Sequence, residues 1–270
     1  VCIIVAKNKG IQIPSKKILE NCFNYNNDGA GFMFNYNNQV YMYKGYMQFD
    51  AFYKAILKVE KQIDIKKTSM VFHFRIGTHG KTKNSAYCHP FPITDDENAL
   101  KKLSIKGIQG IAHNGILYNY TYDKSLSDTM VFIRDFITPL YNAKIDMNNI
   151  HIKKLISNQL GSGNKLAILD DKGIITLYGE YIEDEKIMYS NSSYKTYQTK
   201  FDCVYDDDFP LWYNKKIGLK NSDLYPINNE IKHIITDDNS LITNDGTYST
   251  DDDFNLYRNG HKVGVIEDLF

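Results

Sequence analysis

Four short stretches of the 270-residue chain carry side chains whose types and spacing suit covalent chemistry on a small molecule. The longest is His73-Phe-Arg-Ile-Gly-Thr-His-Gly80, followed by Asn84 and His89-Pro90. An arginine, Arg75, stands between Phe74 and Ile76, and a glycine-flanked loop bearing Thr78 and His79 follows it. A guanidinium in apolar surroundings needs an anionic partner, and its planar fork grips a carboxylate with two parallel hydrogen bonds. The bland reading is an edge strand with solvated polar residues. Lysine is the default cation of this chain; its arginines are Arg75, Arg134 and Arg258. That scarcity favours a task for Arg75 that lysine does poorly.

The second stretch is Gly110-Ile-Ala-His-Asn-Gly115. A side-chain NH2 on Asn114 beside the backbone N–H of Gly115 offers two neutral donors, the makings of an oxyanion hole. Asn-Gly is also an ordinary turn signal. The third is Ser127-Asp128-Thr129, which reads as helix-start chemistry but also offers a carboxylate for an ammonium group. The fourth is Cys2. Freed of the residue before it, such a cysteine carries its own general base, an α-amine with a pKa of about 8. Otherwise it is a strand residue. Taken together, a carboxylate grip, an ammonium grip, a thiol and an oxyanion hole answer the binding problem posed by glutamine.

In order and spacing these pieces resemble the class II glutamine amidotransferases, the N-terminal-nucleophile glutaminase domains of glucosamine-phosphate synthase and of the purine-synthesis amidotransferase. The matching residues are Cys2, Asp28-Gly-Ala-Gly31, the 73–80 stretch with His89-Pro90, His113-Asn-Gly115, Ser127-Asp-Thr129 and Tyr189-Ser-Asn-Ser192. They cover about residues 2–195. The resemblance implies an α+β fold, a four-layer αββα sandwich of the N-terminal nucleophile hydrolase type, with a short C-terminal extension. It implies that Cys2 forms a γ-glutamyl thioester while its α-amine moves protons. It gives Asn114 and Gly115 the oxyanion, Arg75 the α-carboxylate with Thr78 and His79 shaping its loop, and Asp128 the α-ammonium. The expected products are glutamate and ammonia, the latter for a separate partner synthase. The alternatives are an amidase for another γ-glutamyl amide, or a catalytically silent binding protein of the same fold.

The chain departs from the family pattern in three places. Tyr25-Asn26-Asn27 stands where the family often has an arginine-glycine pair, and Ile76 stands where it often has an aromatic residue. Val1 precedes Cys2. A GTG start codon written as valine would account for it, since methionine is removed before a small residue such as cysteine.

The elements that must position these residues are legible in outline. Cys2–Ala6 is an apolar run of strand length. Residues 15–25 read as a helix behind Pro14-Ser15, and Gly31–Tyr36 and Gln39–Tyr43 as strands. Asp50 is expected to cap a helix carrying Phe52, Ala55, Ile56 and Val59. Ser69–Ile76 alternates as a strand. Gly110–Ala112 reads as a short strand, Ser127 as the cap of a helix, and 148–160 as another helix. Lys165–Leu169 and Ile174–Tyr178 form a hairpin, and Ile187–Ser190 a short strand. Phe254–Ile266 reads as a hairpin turning at Asn259-Gly260. Acidic clusters at 206–208, 237–238 and 251–253 mark a change of character, so we expect a glutaminase domain over 1–198 and an accessory segment over 199–270.

Composition bounds what remains. The chain is 43% hydrophobic and 24% charged, with 32 basic and 32 acidic residues, which are globular proportions. A zero formal net charge gives no footprint for nucleic acid. No apolar run is long enough for a bilayer, so a cytoplasmic protein is expected, in a host cell if the lysine- and asparagine-rich composition reflects a bacteriophage origin. Cys22, Cys88 and Cys203 read as buried hydrophobes and form no CxxC pair. No phosphate loop, nucleotide fingerprint or metal-ligand cluster appears, so no cofactor and no metal is expected, and there is no room for an ammonia-accepting domain.

Overall fold

Ile3–Lys7, the first strand (β1), is buried at all five positions, and its alternate residues enter different cores. Ile3 and Val5 face one cluster, Ile4 and Ala6 another. A strand covered on both faces reads as a continuous apolar run, which is why the Cys2–Ala6 segment shows no polar alternation. In the computed structural model, the described residues are 2–77, 84–147 and 149–195, together with the backbone of strands within 234–265. The chain divides into two compact units, Val1–Tyr197 and Gln198–Phe270.

In chain order the first unit runs β1, α1 (Lys16–Tyr25), β2 (Ala30–Tyr36), β3 (Gln39–Tyr46), α2 (Phe49–Glu60), β4 (Met70–Phe74), β5 (Phe91–Pro92) and α3 (Glu97–Lys101). It continues with β6 (Ser104–Gly107), β7 (Gln109–Asn114), α4 (Asp128–Phe132), a π-helical turn over Ile133–Ile137, α5 (Thr138–Asn142) and α6 (Ile150–Leu160). β8 (Lys165–Asp170), β9 (Ile175–Tyr178), β10 (Ile182–Asp184) and β11 (Ile187–Tyr189) complete it. Two antiparallel sheets result, a seven-stranded one ordered β10-β11-β1-β4-β2-β3-β6 and a four-stranded one ordered β5-β7-β8-β9. The unit is thus α+β, with antiparallel sheets.

Three cores hold it together. Phe32, Phe34, Phe72 and Phe74 of the large sheet meet Leu19 and Phe23 of α1 and Phe52 and Ile56 of α2. The intervening residues Met33 and Val71 point the other way and meet Ala112, Ala167 and Leu169 of the small sheet. The other face of the small sheet, with Ile111, Leu166 and Ile168, meets Met130, Phe132, Ile156 and Leu160 of the helices. The period-two exchange between cores follows from the pleat. Cys22 and Cys88 are fully buried, as expected for small hydrophobes; Cys203 lies outside the described residues.

Several expected elements are adjusted. Asp50 does not cap α2: Gln48 occupies the cap without a side-chain hydrogen bond, and Asp50 sits in the first turn, where the helix dipole favours a carboxylate. The helix expected over 148–160 begins at Ile150, because Asn149 accepts the His151 N–H as its cap. The strand expected over Ser69–Ile76 ends at Phe74, since the next backbone groups turn to other partners described below. β5, β6, β10 and α3 were not legible; they are short pieces of two to five residues, too brief to show a period.

The second unit contains a five-stranded antiparallel meander, with strands at Ile234–Ile235, Ser240–Thr243, Gly246–Thr250, Asn255–Arg258 and His261–Val265 paired in sequence order. Its last two strands form the expected C-terminal hairpin; the turn at 259–260 and the acidic clusters lie outside the described residues. Among the described residues no helix is long and apolar enough to cross a membrane.

Candidate active site

β1 lies between β11 and β4, antiparallel to both, with Ile3 opposite Phe74. The residue before β1 therefore falls beside the residues leaving β4. There the Ile76 N–H donates to Cys2 Sγ at 3.3 Å, and the thiol points back to the Ile76 carbonyl at 3.5 Å. Cys2 and Arg75, 73 positions apart in sequence, thus share one strand end. Burial pushes the Cys2 thiol up from its ordinary value, opposed by the Ile76 hydrogen bond and by the positive charge of Arg75. A thiol held protonated needs a base at the moment of attack.

The Asp28-Gly-Ala-Gly31 stretch shapes this turn. Asp28 N–H donates to Arg75 O at 2.9 Å, and Arg75 N–H donates to Gly29 O at 2.8 Å. Asp28 Oδ2 accepts the Gly77 N–H at 2.8 Å, and an Arg75 guanidinium N–H reaches the Asp28 carbonyl at 3.4 Å. These bonds end the β4 ladder and aim the 75–77 backbone at the thiol. Gly31 admits no side chain, because a Cβ there would lie 2.1 Å from the His89 carbonyl oxygen. Asn26 is buried; its amide donates to Cys22 O at 2.9 Å and to Ser193 Oγ at 3.3 Å.

Asn114 closes β7 and is 2% exposed. Its Nδ2 lies 2.9 Å from Ser190 Oγ, and the same oxygen accepts the Ile4 N–H at 2.8 Å. One hydroxyl therefore ties the Asn-Gly corner to β1, two residues from the thiol. Asn191 adds a bond from Nδ2 to the Cys2 carbonyl at 2.8 Å. Gly115 follows with φ of +138°, a conformation that disfavours any side chain.

Behind this corner lies a cluster of three buried histidines. His73 Nε2 is 2.9 Å from the His113 carbonyl. His113 Nδ1 is 2.9 Å from Thr129 Oγ1, and its Nε2 is 2.9 Å from Asn164 Oδ1. His89 stacks on His73 with ring centroids 4.1 Å apart and reaches Thr129 Oγ1 at 3.3 Å. Burial depresses all three imidazoles, His73 to about 3. They are neutral, and they brace β4, β7 and the start of α4 against one another.

Asp128 opens α4 behind its cap Ser127, whose hydroxyl accepts the Met130 N–H at 3.3 Å. Asp128 Oδ1 accepts the Thr129 N–H at 2.7 Å, and Oδ2 accepts the Leu117 N–H at 2.8 Å, just beyond Gly115. A carboxylate has about four acceptor positions, so these bonds orient it and leave capacity for a cation. The loop before it is held by Arg134, which bonds Glu97 at 2.7 Å, Asp123 at 2.8 Å and Asp135 at 2.7 Å.

Thr78 and His79 lie outside the described residues. Cys2, Arg75, Asn114, Gly115 and Asp128 are linked through Ile76, Ser190 and Leu117. Sequence reasoning gave no separate role to Ser190, Asn191 or Asn164; isolated serines and asparagines carry no spacing signal. Among the described residues no group of three or more His, Cys, Asp or Glu side chains is placed to hold a metal ion. No protein-family model matches the chain, and no curated protein matches it.

Proposed function

We propose that residues 2–195 form a class II glutamine amidotransferase domain, a glutaminase of the N-terminal nucleophile type with a four-layer αββα sandwich. The two sheets packed through Met33, Val71, Ala112 and Leu169, each covered by helices on its outer face, support that architecture. The observation that carries the activity is the meeting of the Cys2 thiol with the backbone beyond Arg75, while Ser190 joins Asn114 to the same strand.

In this reading Arg75 and Asp128 hold the α-carboxylate and α-ammonium of glutamine. The Cys2 sulfur attacks the side-chain amide carbon as the α-amine of Cys2 takes the thiol proton. A C–S bond forms and the carbonyl π pair moves to oxygen, where the Asn114 NH2 and the Gly115 N–H meet it. Collapse restores the carbonyl, breaks the C–N bond and passes the proton to departing ammonia. Water then attacks the thioester by the same route, giving glutamate and the free thiol. The chemistry requires an unblocked α-amine, so the active chain has Cys2 as its first residue. The thiol must stay reduced, which suits a cytoplasm, and the ammonia passes to a synthase on another polypeptide.

The test combines the mass of the mature N-terminus with a glutamine-to-glutamate assay and labelling by a glutamine-like diazo ketone. The expected result is a chain starting at Cys2, saturable glutamine hydrolysis, and a single adduct on Cys2 that is lost in Cys2→Ala. A chain starting at Cys2 that neither hydrolyses glutamine nor takes the label refutes the proposal.

A further inference from the structure

Ser190 is 1% exposed and follows directly on β11. Its N–H donates to Ile4 O at 2.9 Å, and its Oγ accepts the Ile4 N–H at 2.8 Å, so it is bound twice to the nucleophile strand. The same Oγ lies 2.9 Å from Nδ2 of Asn114, while the other end of that amide, Oδ1, is buried with no partner among the described residues. Two donors converge on a hydroxyl that has a proton of its own to give, and a buried acceptor is left without a donor.

A half-turn of the amide about its Cβ–Cγ bond exchanges its two ends within the same outline. Ser190 can then donate to Oδ1 while the Ile4 N–H still enters its lone pair. The Asn114 NH2 now occupies the buried end that lacks a partner. A donor held in a buried position by a bond to the other end of its own amide stabilises a transition state in which negative charge develops.

We infer that Ser190 is a positioning residue whose hydroxyl holds the Asn114 amide by its oxygen and so presents the NH2 to the developing oxyanion. The inference rests on the glutaminase reading above. Ser190 touches no substrate; it acts through Asn114, and its two hydrogen bonds to Ile4 keep that donor in register with the nucleophile strand.

The experiment is a double-mutant cycle in glutamine hydrolysis, using the full chain beginning at Cys2. Asn114→Ala is expected to lower kcat by about 10²–10³-fold. Ser190→Ala is expected to lower kcat about tenfold or more with KM for glutamine nearly unchanged, because the lost interaction forms in the transition state. Adding Ser190→Ala to Asn114→Ala should cost nothing further, and Ser190→Thr should keep most of the activity. Equal penalties from Ser190→Ala in both backgrounds would mean that the serine merely supports β1, and would overturn the inference while leaving the glutaminase reading intact. Should Ser190→Ala fail to fold, Ser190→Cys replaces it: its weak S–H donor must lose kcat where threonine retains it, and equal activity of the two refutes the inference. An inactive parent chain refutes both readings at once.

Discussion

His113 and Asn164 are hydrogen-bonded at 2.9 Å, and the same Asn164 oxygen lies 2.1 Å from where a Cβ on Gly115 would be. One carboxamide thus braces the ring of the residue before Asn114 and fills the space beside the residue after it. Asn164 is anchored in turn by its own bond from Nδ2 to Leu160 O at 2.8 Å, at the end of α6. The Asn-Gly corner is clamped from behind by a residue remote in sequence.

Gly115→Ala should therefore be costly twice over. The φ of +138° strains any side chain, by about 1–3 kcal/mol for sparsely populated backbone conformations, and the added methyl collides with Asn164. We expect a lowered melting temperature and loss of glutamine hydrolysis. Combined with Asn164→Ala, which opens space, the thermal penalty should be less than the sum of the two single penalties. Strict additivity in thermal melts would show that the contact does not operate.

Lys44 is 4% exposed, donates to Ala86 O at 2.9 Å and Leu100 O at 2.6 Å, and stands 3.8 Å from the centre of the Phe91 ring. Burial lowers it from 10.5 to about 6, and lowers Lys7, which donates to the carbonyls of Ile11, Ile65 and Thr68, to about 8. Between those folded values and 10.5 the unfolded chain holds more protons than the native one, so these groups make stability rise with pH. Lys44 contributes from about pH 6 upward and Lys7 from about pH 8. Denaturant midpoints measured against pH should show Lys44→Met removing part of the rise between pH 6 and 8. An unchanged slope would contradict the depressed value.

The three buried histidines predict acid lability. His73, lowered to about 3 by burial against the hydrogen bond to the His113 carbonyl that favours its charged form, is neutral when folded and charged when unfolded between about pH 3 and 6.5. His89 and His113 shift in the same direction, with Asp128 opposing the shift at His113. Each contribution is fully present above pH 6.5 and is lost as the pH falls through the folded value, which for His73 lies near 3. Acid titration followed by circular dichroism should show His89→Phe unfolding at lower pH than the parent, provided the variant melts normally at pH 7. Unfolding at the same pH would remove His89 from the account.

Cys2 should alkylate slowly at neutral pH, since burial holds its thiol above the ordinary value. The rate with iodoacetamide should keep climbing above pH 9. Arg75 opposes the shift, so Arg75→Ala should slow labelling at a fixed pH. Arg75→Lys should keep the charge while raising KM for glutamine, because an ammonium cannot make the two-pronged carboxylate contact. A labelling rate already level at pH 7 would show a thiolate at rest.

The residues by themselves determined the longer elements and the motifs. β1, β2, β4, α1 and the β8–β9 hairpin follow from runs and alternation that local sequence displays, and Ser15 and Ser127 mark their helix starts because an N-cap is a local bond. The types of Cys2, Arg75, Asn114, Gly115 and Asp128 name the chemistry they are suited to. The approach of Cys2 to the backbone after Arg75, and of both to the Ser190 that bonds Asn114, was decided by tertiary structure, through the antiparallel neighbours of β1 that bring residues 2, 76 and 190 to one strand end. The parts played by Ser190, Asn164 and the neutral histidines were decided there too. A hydrogen bond spanning 186 positions leaves no trace in any window of sequence, and an imidazole is depressed by what surrounds it and not by its neighbours in the chain.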